Sequence, residues 1–510
     1  MVIIILSSQP TIIWLWFFWQ HFPKLSLLFF ILFPFTFFIG LIILILSSIL
    51  VSKIFLTFTN IIHKPKEGVF LRSKNDKDYC YWSLRSVIKK WPAWLTRQLS
   101  LPFFEILIFK VLGVKTSFSN SLSEGWVDIE FVDFGKNVKV GQGSLIVSNV
   151  IINNKLIIKR VIIDDNVIIG AHSVVMPGTI IEKNTILDAI SMTTINQHLE
   201  RDSLYRGRPA KKVMETSQIV DFRKLNNLIF KADTIKKYNE ENLNAHAKEM
   251  SVPFHFYLIV GWIIIGGSFI LSAFLFILFT FGLLIPNFFT TPFNLENFLE
   301  VNTLIIAFIT PLILISIYLI HLFFVALFTK WFYKLADVHG LEQGVFDRNL
   351  NESSRMLDYY HFRSFLFKYP IFAFIRSPFP WLLNWELRFL RSNKVGKGTI
   401  IEDTFIHSHI NFGKSCYVGT FSHITNHVVD GVYGEENLTF FGAKIGDNCV
   451  FNVASGALPG LEMEENSTIL PMCATIKYDK LGKNGIFGGF PAKKYKENEI
   501  LKIIGDEHND

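Results

Sequence analysis

The chain has 510 residues, half of them apolar, with 52 phenylalanines and a formal net charge of +7. Its length allows three or four domains, and its apolar content is typical of a chain with long hydrophobic runs rather than of a soluble protein. No DNA- or RNA-reading motif accompanies the basic charge, and the four cysteines lack the spacing of a zinc site or a disulfide framework.

Four apolar stretches are each long enough to cross a bilayer, which takes roughly 20 helical residues. They are predicted at about Val2–Trp19, Leu25–Val51, Phe254–Leu284 and Leu304–Phe328. The first could instead be a signal peptide, but it lacks a basic leading region and a small-residue cleavage site. The spans therefore predict two hairpins in an integral, multi-pass membrane protein.

The distribution of charge predicts the orientation. Ten basic and three acidic residues lie between Lys53 and Arg97, whereas Pro286–Asn302 has two glutamates and no Lys or Arg. By the positive-inside rule, segments 53–253 and 330–510 should face the cytosol. The predicted organisation is a hairpin at 1–52, linker helices at 53–127, a β-domain at 128–216, a helical linker at 217–253, a hairpin at 254–329, linker helices at 330–393, a β-domain at 394–498 and a tail at 499–510.

Short matches in a constant order indicate an internal duplication. The matched pairs are Gly68-Val69-Phe70 with Gly344-Val345-Phe346, Leu84-Arg85-Ser86 with Phe362-Arg363-Ser364, Met176-Pro177-Gly178 with Leu458-Pro459-Gly460, and Gly207-Arg208-Pro209-Ala210 with Gly489-Phe490-Pro491-Ala492. The offsets are 276, 278, 282 and 282. The repeating unit is thus predicted to be a hairpin, linker helices and a β-domain.

A period of six residues runs through each β-domain. The apolar positions are Ile163, Ile169, Val175, Ile181 and Leu187 in the first, and Ile445, Phe451, Ala457, Met463 and Ile469 in the second, with an earlier series at Ile400, Ile406, Phe412, Val418 and Ile424. Six fits neither an α-helix nor a two-sided strand. It fits a parallel β-helix in which three hexads close one triangular coil and the apolar residues point inward. Short antiparallel strands are the alternative, but they would not need this strict step.

The hexads and the GRPAKK and GFPAKK segments, which begin at Gly207 and Gly489, resemble the hexapeptide acyltransferases. The resemblance implies two left-handed parallel β-helices of the trimeric LpxA-like class. The alternation with membrane hairpins resembles the C-terminal region of epsilon-poly-lysine-synthase-type nonribosomal peptide synthetases. That region has three tandem domains and upstream adenylation and carrier domains, whereas this chain has two β-domains and no phosphate-loop or carrier-serine motif. The resemblance therefore implies a donor activated elsewhere, as acyl-CoA or a carrier-protein phosphopantetheine thioester, with no bound cofactor and no metal.

Acyl transfer from a thioester needs a base for the acceptor's proton, and histidine is the usual one. His423 and His427 precede a segment, Gly431–Thr439, that breaks the hexad rhythm, and Asp430 could orient the base. His423 is favoured because loops leaving a rigid scaffold often carry sites, and related tandem domains carry a Thr-His pair nearby. His407 and His409 are expected in the same wall. All of these could instead be exposed coil residues.

The first β-domain has fewer candidates for catalysis. Its corresponding stretch, Ser148–Ile152, has no histidine, and His172 could be either a base or an exposed coil residue. Its counterpart in the second domain falls within Asn452-Val453-Ala454. The first domain could therefore be mainly architectural.

Three functions are compatible with these features. The favoured one is a membrane-associated transferase that makes an ester or amide from a thioester donor and a small-molecule or peptide acceptor. The second is a non-catalytic scaffold that partners a carrier-domain protein or synthetase, because fold alone does not establish chemistry. The third, a transporter, is disfavoured because no ionisable residue was identified at mid-depth in the spans.

Overall fold

Eleven α-helices occur in the part of the chain that the computed structural model describes, which is residues 1–22, 24, 26–99, 101–221, 254–347, 355–430 and 437–496. The predicted linker at 217–253 and the tail at 499–510 lie almost wholly outside these residues. The helices are α1 (Val2–His21), α2 (Leu27–Ile62), α3 (Lys77–Gln98), α4 (Pro102–Leu112), α5 (Phe254–Gly261), α6 (Gly267–Phe279), α7 (Leu295–Leu299), α8 (Val301–His339), α9 (Arg355–Leu366), α10 (Lys368–Ile375) and α11 (Leu383–Leu390).

Four helical stretches are long and apolar enough to cross a membrane, as predicted. They are Val2–His21, Leu27–Ile62, His255–Phe289 and Val301–His339, the third including π-helical turns at Trp262–Gly266 and Thr280–Phe289 on either side of α6. The second and fourth extend well beyond the apolar runs that predicted them. His321 lies within the fourth stretch. The prediction that the spans carry no ionisable residue at mid-depth therefore overlooked this histidine, and it applies only to Lys, Arg, Asp and Glu.

The chain divides into two compact units. The first comprises residues 1–66, 73–114 and 262–325, and the second comprises 67–72, 115–261 and 326–510. In the first unit, α1 and α2 approach closely where small residues meet: the Ser47 hydroxyl donates to the Ser7 carbonyl at 2.6 Å, and Trp14 donates to the Thr36 carbonyl at 3.0 Å. Small and hydroxyl side chains at such contacts are typical of helices that pack in lipid.

The second unit contains two parallel β-helices, which we call copy 1 and copy 2. The strands of copy 1 are β2 (Trp126–Val127), β3 (Val132–Phe134), β4 (Lys139–Val140), β5 (Leu145–Ile146), β6 (Asn149–Ile152), β7 (Lys155–Ile158), β8 (Val161–Ile163), β9 (Ile168–Ile169), β10 (Val174–Val175), β11 (Ile180–Ile181), β12 (Ile186–Leu187), β13 (His198–Leu199), β14 (Ser203–Gly207) and β15 (Ala210–Glu215), with β1 (Gly68–Leu71) joining from upstream. Three sheets, β10-β5-β2, β13-β11-β8-β3 and β15-β14-β12-β9-β4, form its faces.

Copy 2 repeats this plan. Its strands are β17 (Lys394–Val395), β18 (Ile400–Ile401), β19 (Phe405–Ile406), β20 (Ile410–Phe412), β21 (Tyr417–Val418), β22 (His423–Ile424), β23 (His427–Asp430), β24 (Asn437–Phe440), β25 (Ala443–Ile445), β26 (Val450–Phe451), β27 (Gly456–Ala457), β28 (Glu462–Met463), β29 (Thr468–Ile469), β30 (Lys480–Leu481), β31 (Ile486–Gly488) and β32 (Lys493–Lys494), with β16 (Gly344–Asp347) joining from upstream. Its three faces are β17-β20-β25-β28-β30, β18-β21-β26-β29-β31-β32 and β19-β22-β27.

The period of six is explained by the strand register. Ile162 pairs with Ile180, and Ile180 with His198, so that residues 18 apart stack in successive coils. Every apolar position predicted for copy 1 is buried, and Val175 is fully so. One position in copy 2 was wrong: Ile400 is 40% exposed and Ile401 points inward instead, because the step from Ile401 to the next inward residue, Ile406, is five.

Each β-helix is interrupted by one antiparallel hairpin. The hairpin β6–β7 of copy 1 is extended by β1, and the hairpin β23–β24 of copy 2 is extended by β16. This explains why the Gly-Val-Phe sequence recurs far upstream of each β-domain: both segments supply the third strand of a hairpin sheet. The handedness of the coils stays a prediction.

Candidate active site

The two copies can be aligned residue by residue from their strand pairings alone. In copy 1, Gly68 pairs with Ile158 and Ile158 with Asn149; in copy 2, Gly344 pairs with Phe440 and Phe440 with His427. The first residue of each hairpin is therefore equivalent, which matches His427 with Asn149. By the same reasoning, β19–β22 matches β2–β5, so that His423 is equivalent to Leu145.

Three histidines of copy 2 come together where the hairpin leaves the coil. The His407 ring packs edge-to-face on that of His427, with centroids 4.6 Å apart, and lies 5.8 Å from the His423 ring. His423 is exposed on β22, whereas His407 and His427 are half-buried. The predicted wall of histidines is thus present, and we call these three residues the histidine cluster.

His427 is held by its chain neighbour. Its Nδ1 lies 2.9 Å from Asn426 Oδ1, while the Asn426 Nδ2 donates to the carbonyl and the hydroxyl of Ser408 at 2.9 and 3.0 Å. Because a carbonyl oxygen can only accept, these bonds fix the orientation of the Asn426 amide, and its Oδ1 must accept a hydrogen bond from His427 Nδ1–H. His427 Nε2 therefore carries the lone pair, which is the tautomer that a general base requires.

Burial lowers the pKa of all three histidines of the cluster. Desolvation, with smaller contributions from the neighbouring His361, His423 and Lys368, lowers the pKa of His427 to about 4. Burial likewise holds the pKa of His407 well below its usual range and lowers the pKa of His423. Since an imidazole accepts a proton only when neutral, both half-buried histidines are available as bases at neutral pH.

Helices α9 and α10 border the cluster. The Tyr360 ring of α9 meets the His427 ring edge-to-face at 5.7 Å and the Phe440 ring at 5.3 Å. Phe405 of β19 joins the cluster to α10, because its ring lies 6.2 Å from Phe372 and 6.1 Å from His423. These aromatic contacts fix the position of the helices over the histidines.

His409, the fourth predicted histidine of this wall, joins the cluster through Ser408, whose hydroxyl lies 3.0 Å from His409 Nδ1 and also accepts a hydrogen bond from Asn426 Nδ2. Its Nε2 lies 3.8 Å from Asp337, which also accepts a hydrogen bond of 3.0 Å from Arg363. The buried Arg363 in turn donates to the Leu341 carbonyl. Burial is the main reason that the pKa of His409 is lowered, with Arg363 acting in the same direction. This network fastens the end of α8 to copy 2.

The two remaining predicted site residues are Asp430, at the end of a strand, and His172, at a coil corner. Asp430 ends β23, opposite Asn437 in the hairpin, and the loop at 431–436 falls outside the described residues. His172 is exposed at a coil corner of copy 1, with its backbone amide donating to the Gln142 carbonyl. Ala454 makes the equivalent bond to Thr420 in copy 2, which agrees with the sequence alignment of this hexad.

Copy 1 has a different constellation at the positions of the cluster. Asp128 stands where copy 2 has His407, and its Oδ2 accepts hydrogen bonds from the Ser148 hydroxyl at 3.1 Å and the Asn149 amide at 2.7 Å. Leu145, the equivalent of His423, is buried in an apolar cluster that also contains Leu470 and Ile486 of copy 2. A carboxylate already saturated by these donors is poorly placed to accept a substrate proton.

No group of three or more His, Cys, Asp or Glu residues among those described has the geometry to hold a metal ion. The rings of the histidine cluster pack edge-to-face against one another. Sequence reasoning missed Asn426, Tyr360 and Lys368. Asn426 is next to His427 in the sequence and could have been identified from it. Tyr360 reaches the cluster only through a contact between distant parts of the sequence.

No protein-family model matches the chain. A curated relative, the 2,3,4,5-tetrahydropyridine-2,6-dicarboxylate N-acetyltransferase of Staphylococcus aureus, is 32% identical over 90 residues, which cover 18% of this chain and 36% of that enzyme. The chain thus spans about a third of the length of the curated relatives it matches, and it is distantly similar to hexapeptide-repeat acyltransferases.

Solved structures that are similar to this chain include two acyltransferases, each less than 25% identical to it in sequence. A maltose O-acetyltransferase from Clostridium difficile 630 is 17% identical, with a TM-score of 0.20 and coverage of 22% of this chain and 74% of that one. AntD, an N-acyltransferase from Bacillus cereus solved with dTDP and 3-hydroxybutyryl-CoA, is 18% identical, with a TM-score of 0.17 and coverage of 26% and 97%.

Proposed function

We propose that this chain is a membrane-associated acyl or aminoacyl transferase that forms an ester or amide bond from a thioester donor, acyl-CoA or a carrier-bound phosphopantetheine. The observation that carries the proposal is the hydrogen-bonded pair of Asn426 and His427, which presents a neutral Nε2 beside an exposed histidine. The distant similarity to hexapeptide-repeat acyltransferases supports the reaction class. The charge distribution supports a cytosolic location of both copies, and an affinity tag at the C-terminus should then be inaccessible in sealed cells.

His427 is the proposed base, with His423 at the mouth of the site. As the acceptor hydroxyl or amine attacks the thioester carbonyl, its proton passes to His427 Nε2, and the departing thiolate then takes that proton. The C–S bond breaks as the C–O or C–N bond forms, so no further reactant is needed. The sequence alone favoured His423, but the described bonds hold His427 in one orientation. Asp430 remains a candidate for a supporting role on the same hairpin.

Replacing His427 by asparagine tests the proposal, because asparagine is the residue that the equivalent position of copy 1 accommodates. His427→Asn should lower transfer by about 10²–10⁴-fold, the usual contribution of a general base. His423→Ala should lower it less, and His172→Ala should leave it nearly unchanged. The assay supplies acyl-CoA and carrier-bound donors with a pool of amines and alcohols, and it detects products by mass.

A non-catalytic scaffold is the second candidate, favoured by the loss of the cluster from copy 1. If the wild type transfers nothing from any donor, the scaffold takes precedence. If transfer is robust and His427→Asn is fully active, the base lies elsewhere.

A further inference from the structure

The helices that border the histidine cluster are fastened to the ends of two hydrophobic helices. Tyr257 of α5, where the third candidate span begins, stacks on Phe362 and Phe365 of α9 at 5.6 and 4.9 Å. Its carbonyl accepts a hydrogen bond from the Tyr369 hydroxyl of α10. Near the end of α8, the Tyr333 ring packs on Phe367 at 5.1 Å. Helices α9 and α10 therefore lie at the level where these spans leave the bilayer.

The outer surface of α10, α11 and the turn Pro380–Leu382 between them has the composition of a membrane interface. Phe372, Trp381 and Trp385 are 44%, 55% and 38% exposed. The Arg376 guanidinium lies over the Phe372 ring at 4.9 Å, and Lys368 is exposed one turn before Phe372. Exposed aromatic rings beside cationic side chains are typical of helices that lie among lipid headgroups.

A continuous row of rings joins this surface to the proposed base. Phe372 contacts Phe405, Phe405 stacks nearly parallel on His423, and the His423 ring adjoins His407, which packs on His427. Lys368 belongs to the same region, since its charge acts on both His407 and His427. A row that begins with two phenylalanines and has a cation beside it complements a molecule with a hydrocarbon chain and an anionic head.

We infer that the acceptor is an anionic amphiphile of the bordering leaflet, a phospholipid whose headgroup carries a hydroxyl or amine, and that it reaches His427 along Phe372 and Phe405. This inference rests on the proposed function and specifies its substrate class. The headgroup nucleophile would attack the thioester carbonyl, the new C–O or C–N bond would form, and the proton would pass through His427 to the leaving thiolate.

Photo-crosslinking tests the route without requiring turnover. The full chain is reconstituted in phosphatidylcholine vesicles that contain a trace of phosphatidylglycerol with a diazirine in its headgroup region, and labelled peptides are mapped by mass. Label should appear around Phe372 and around Phe405–His423. Phe372→Asp should reduce it by roughly tenfold, the effect of weakening binding by about 1.4 kcal/mol. Ile180→Asp, an equally exposed apolar position on copy 1, should leave it unchanged.

Lys368→Glu is a second variant that changes only an exposed charge, and it should also reduce the labelling. The inference is overturned if label is confined to the spanning helices, if neither variant changes it, or if a diazirine phosphatidylcholine labels the row equally well. Because no thioester is present, these results are independent of the transfer assay. Labelling of the row in a protein that transfers nothing would reject the proposed function and leave the lipid site standing.

Discussion

The two β-helices have the same plan, but they differ in which surfaces are open. The hairpin of copy 1 lies against copy 2, so Ile151 is 3% exposed whereas its equivalent Val429 is 42% exposed. The burial is reversed on the face of copy 2 against which this hairpin lies. There, Val450 of copy 2 is fully buried, whereas its equivalent Ile168 in copy 1 is 39% exposed. One copy thus presents its hairpin to the other, and the surface around the hairpin of copy 2 stays accessible.

The chemistry follows the same division. In copy 1 the site positions hold Asp128, Leu145 and Asn149, and Leu145 is sealed by the contact between the copies. In copy 2 the equivalent positions hold His407, His423 and His427, and His423 faces outward. A duplicated fold can keep its coils for packing in both copies while only the open copy holds the histidines of the proposed site. The predictions below test this division.

The largest expected effect is loss of the coil itself. Val175 of copy 1 and its equivalent Ala457 in copy 2 both point inward and are almost completely buried. Val175→Asp would bury an unpaired carboxylate, which costs several kcal/mol or forces local unfolding. Limited proteolysis of the purified protein, with fragments identified by mass, should show cleavage in copy 1.

The matched control is Ile180→Asp, which places the same charge five residues later on the outer face, where Ile180 is 40% exposed. That variant should resist the protease like the wild type. Ala457→Asp should move the cleavage to copy 2. If Val175→Asp accumulated and resisted proteolysis like the wild type, the assignment of the inward positions would be wrong.

The inward positions were predictable because the period of six is a direct consequence of coil geometry. The prediction failed at Ile400, where one turn is a residue shorter and the period shifts. The histidine-rich segment was also evident, but the choice between His423 and His427 was not. That choice depends on the bonds from Asn426 to Ser408 and on the approach of Tyr360, which is 67 positions away from His427. Such contacts have no periodic signature.

The pH dependence of transfer tests His427 as the proposed base. Because burial lowers the pKa of His427 from 6.5 to about 4, His427 stays neutral as the pH falls from 7 to 5. Transfer by His427 should therefore change little over that range and fall by roughly tenfold per pH unit only below about 4. A fully solvated histidine would instead lose activity near pH 6.5.

The stability of the folded state also changes between about pH 4 and 6.5, so it has to be measured alongside transfer. The folded state binds fewer protons at His427 than the unfolded state does, so its stabilising effect is present above pH 6.5 and is lost as the pH falls toward 4. An intrinsic fluorescence spectrum recorded at each pH separates unfolding from titration of the base. An activity loss centred near pH 6.5 without unfolding would point away from His427.

The smallest expected effect concerns the contact between the copies. The Asn452 side chain pairs with the backbone of Ile151 as a neighbouring strand would: its Nδ2 donates to the Ile151 carbonyl at 2.9 Å, and its Oδ1 accepts from the Ile151 amide at 3.3 Å. The equivalent residue in copy 1 is Gly170, where a Cβ would lie 2.3 Å from the Ala189 amide nitrogen. Copy 1 therefore cannot carry an asparagine there without moving its own backbone.

Asn452→Ala removes both bonds, together with the bond of 3.0 Å from its Nδ2 to the Ile469 carbonyl within copy 2. It leaves a buried amide and carbonyl of Ile151 unpaired, at a cost of about 1–3 kcal/mol. Hydrogen exchange of the peptide that covers 149–158 should accelerate by about 5- to 150-fold, the equivalent of that free energy. Asn411→Ala, on a different face of copy 2, is the control and should leave this exchange unchanged. Because the Asn452 side chain bonds to Ile151 and Ile469 and to none of the three histidines, transfer by Asn452→Ala should stay close to the wild-type rate. If hydrogen exchange at 149–158 did not change, the burial of the copy 1 hairpin against copy 2 would depend on apolar packing around Leu145 rather than on this asparagine.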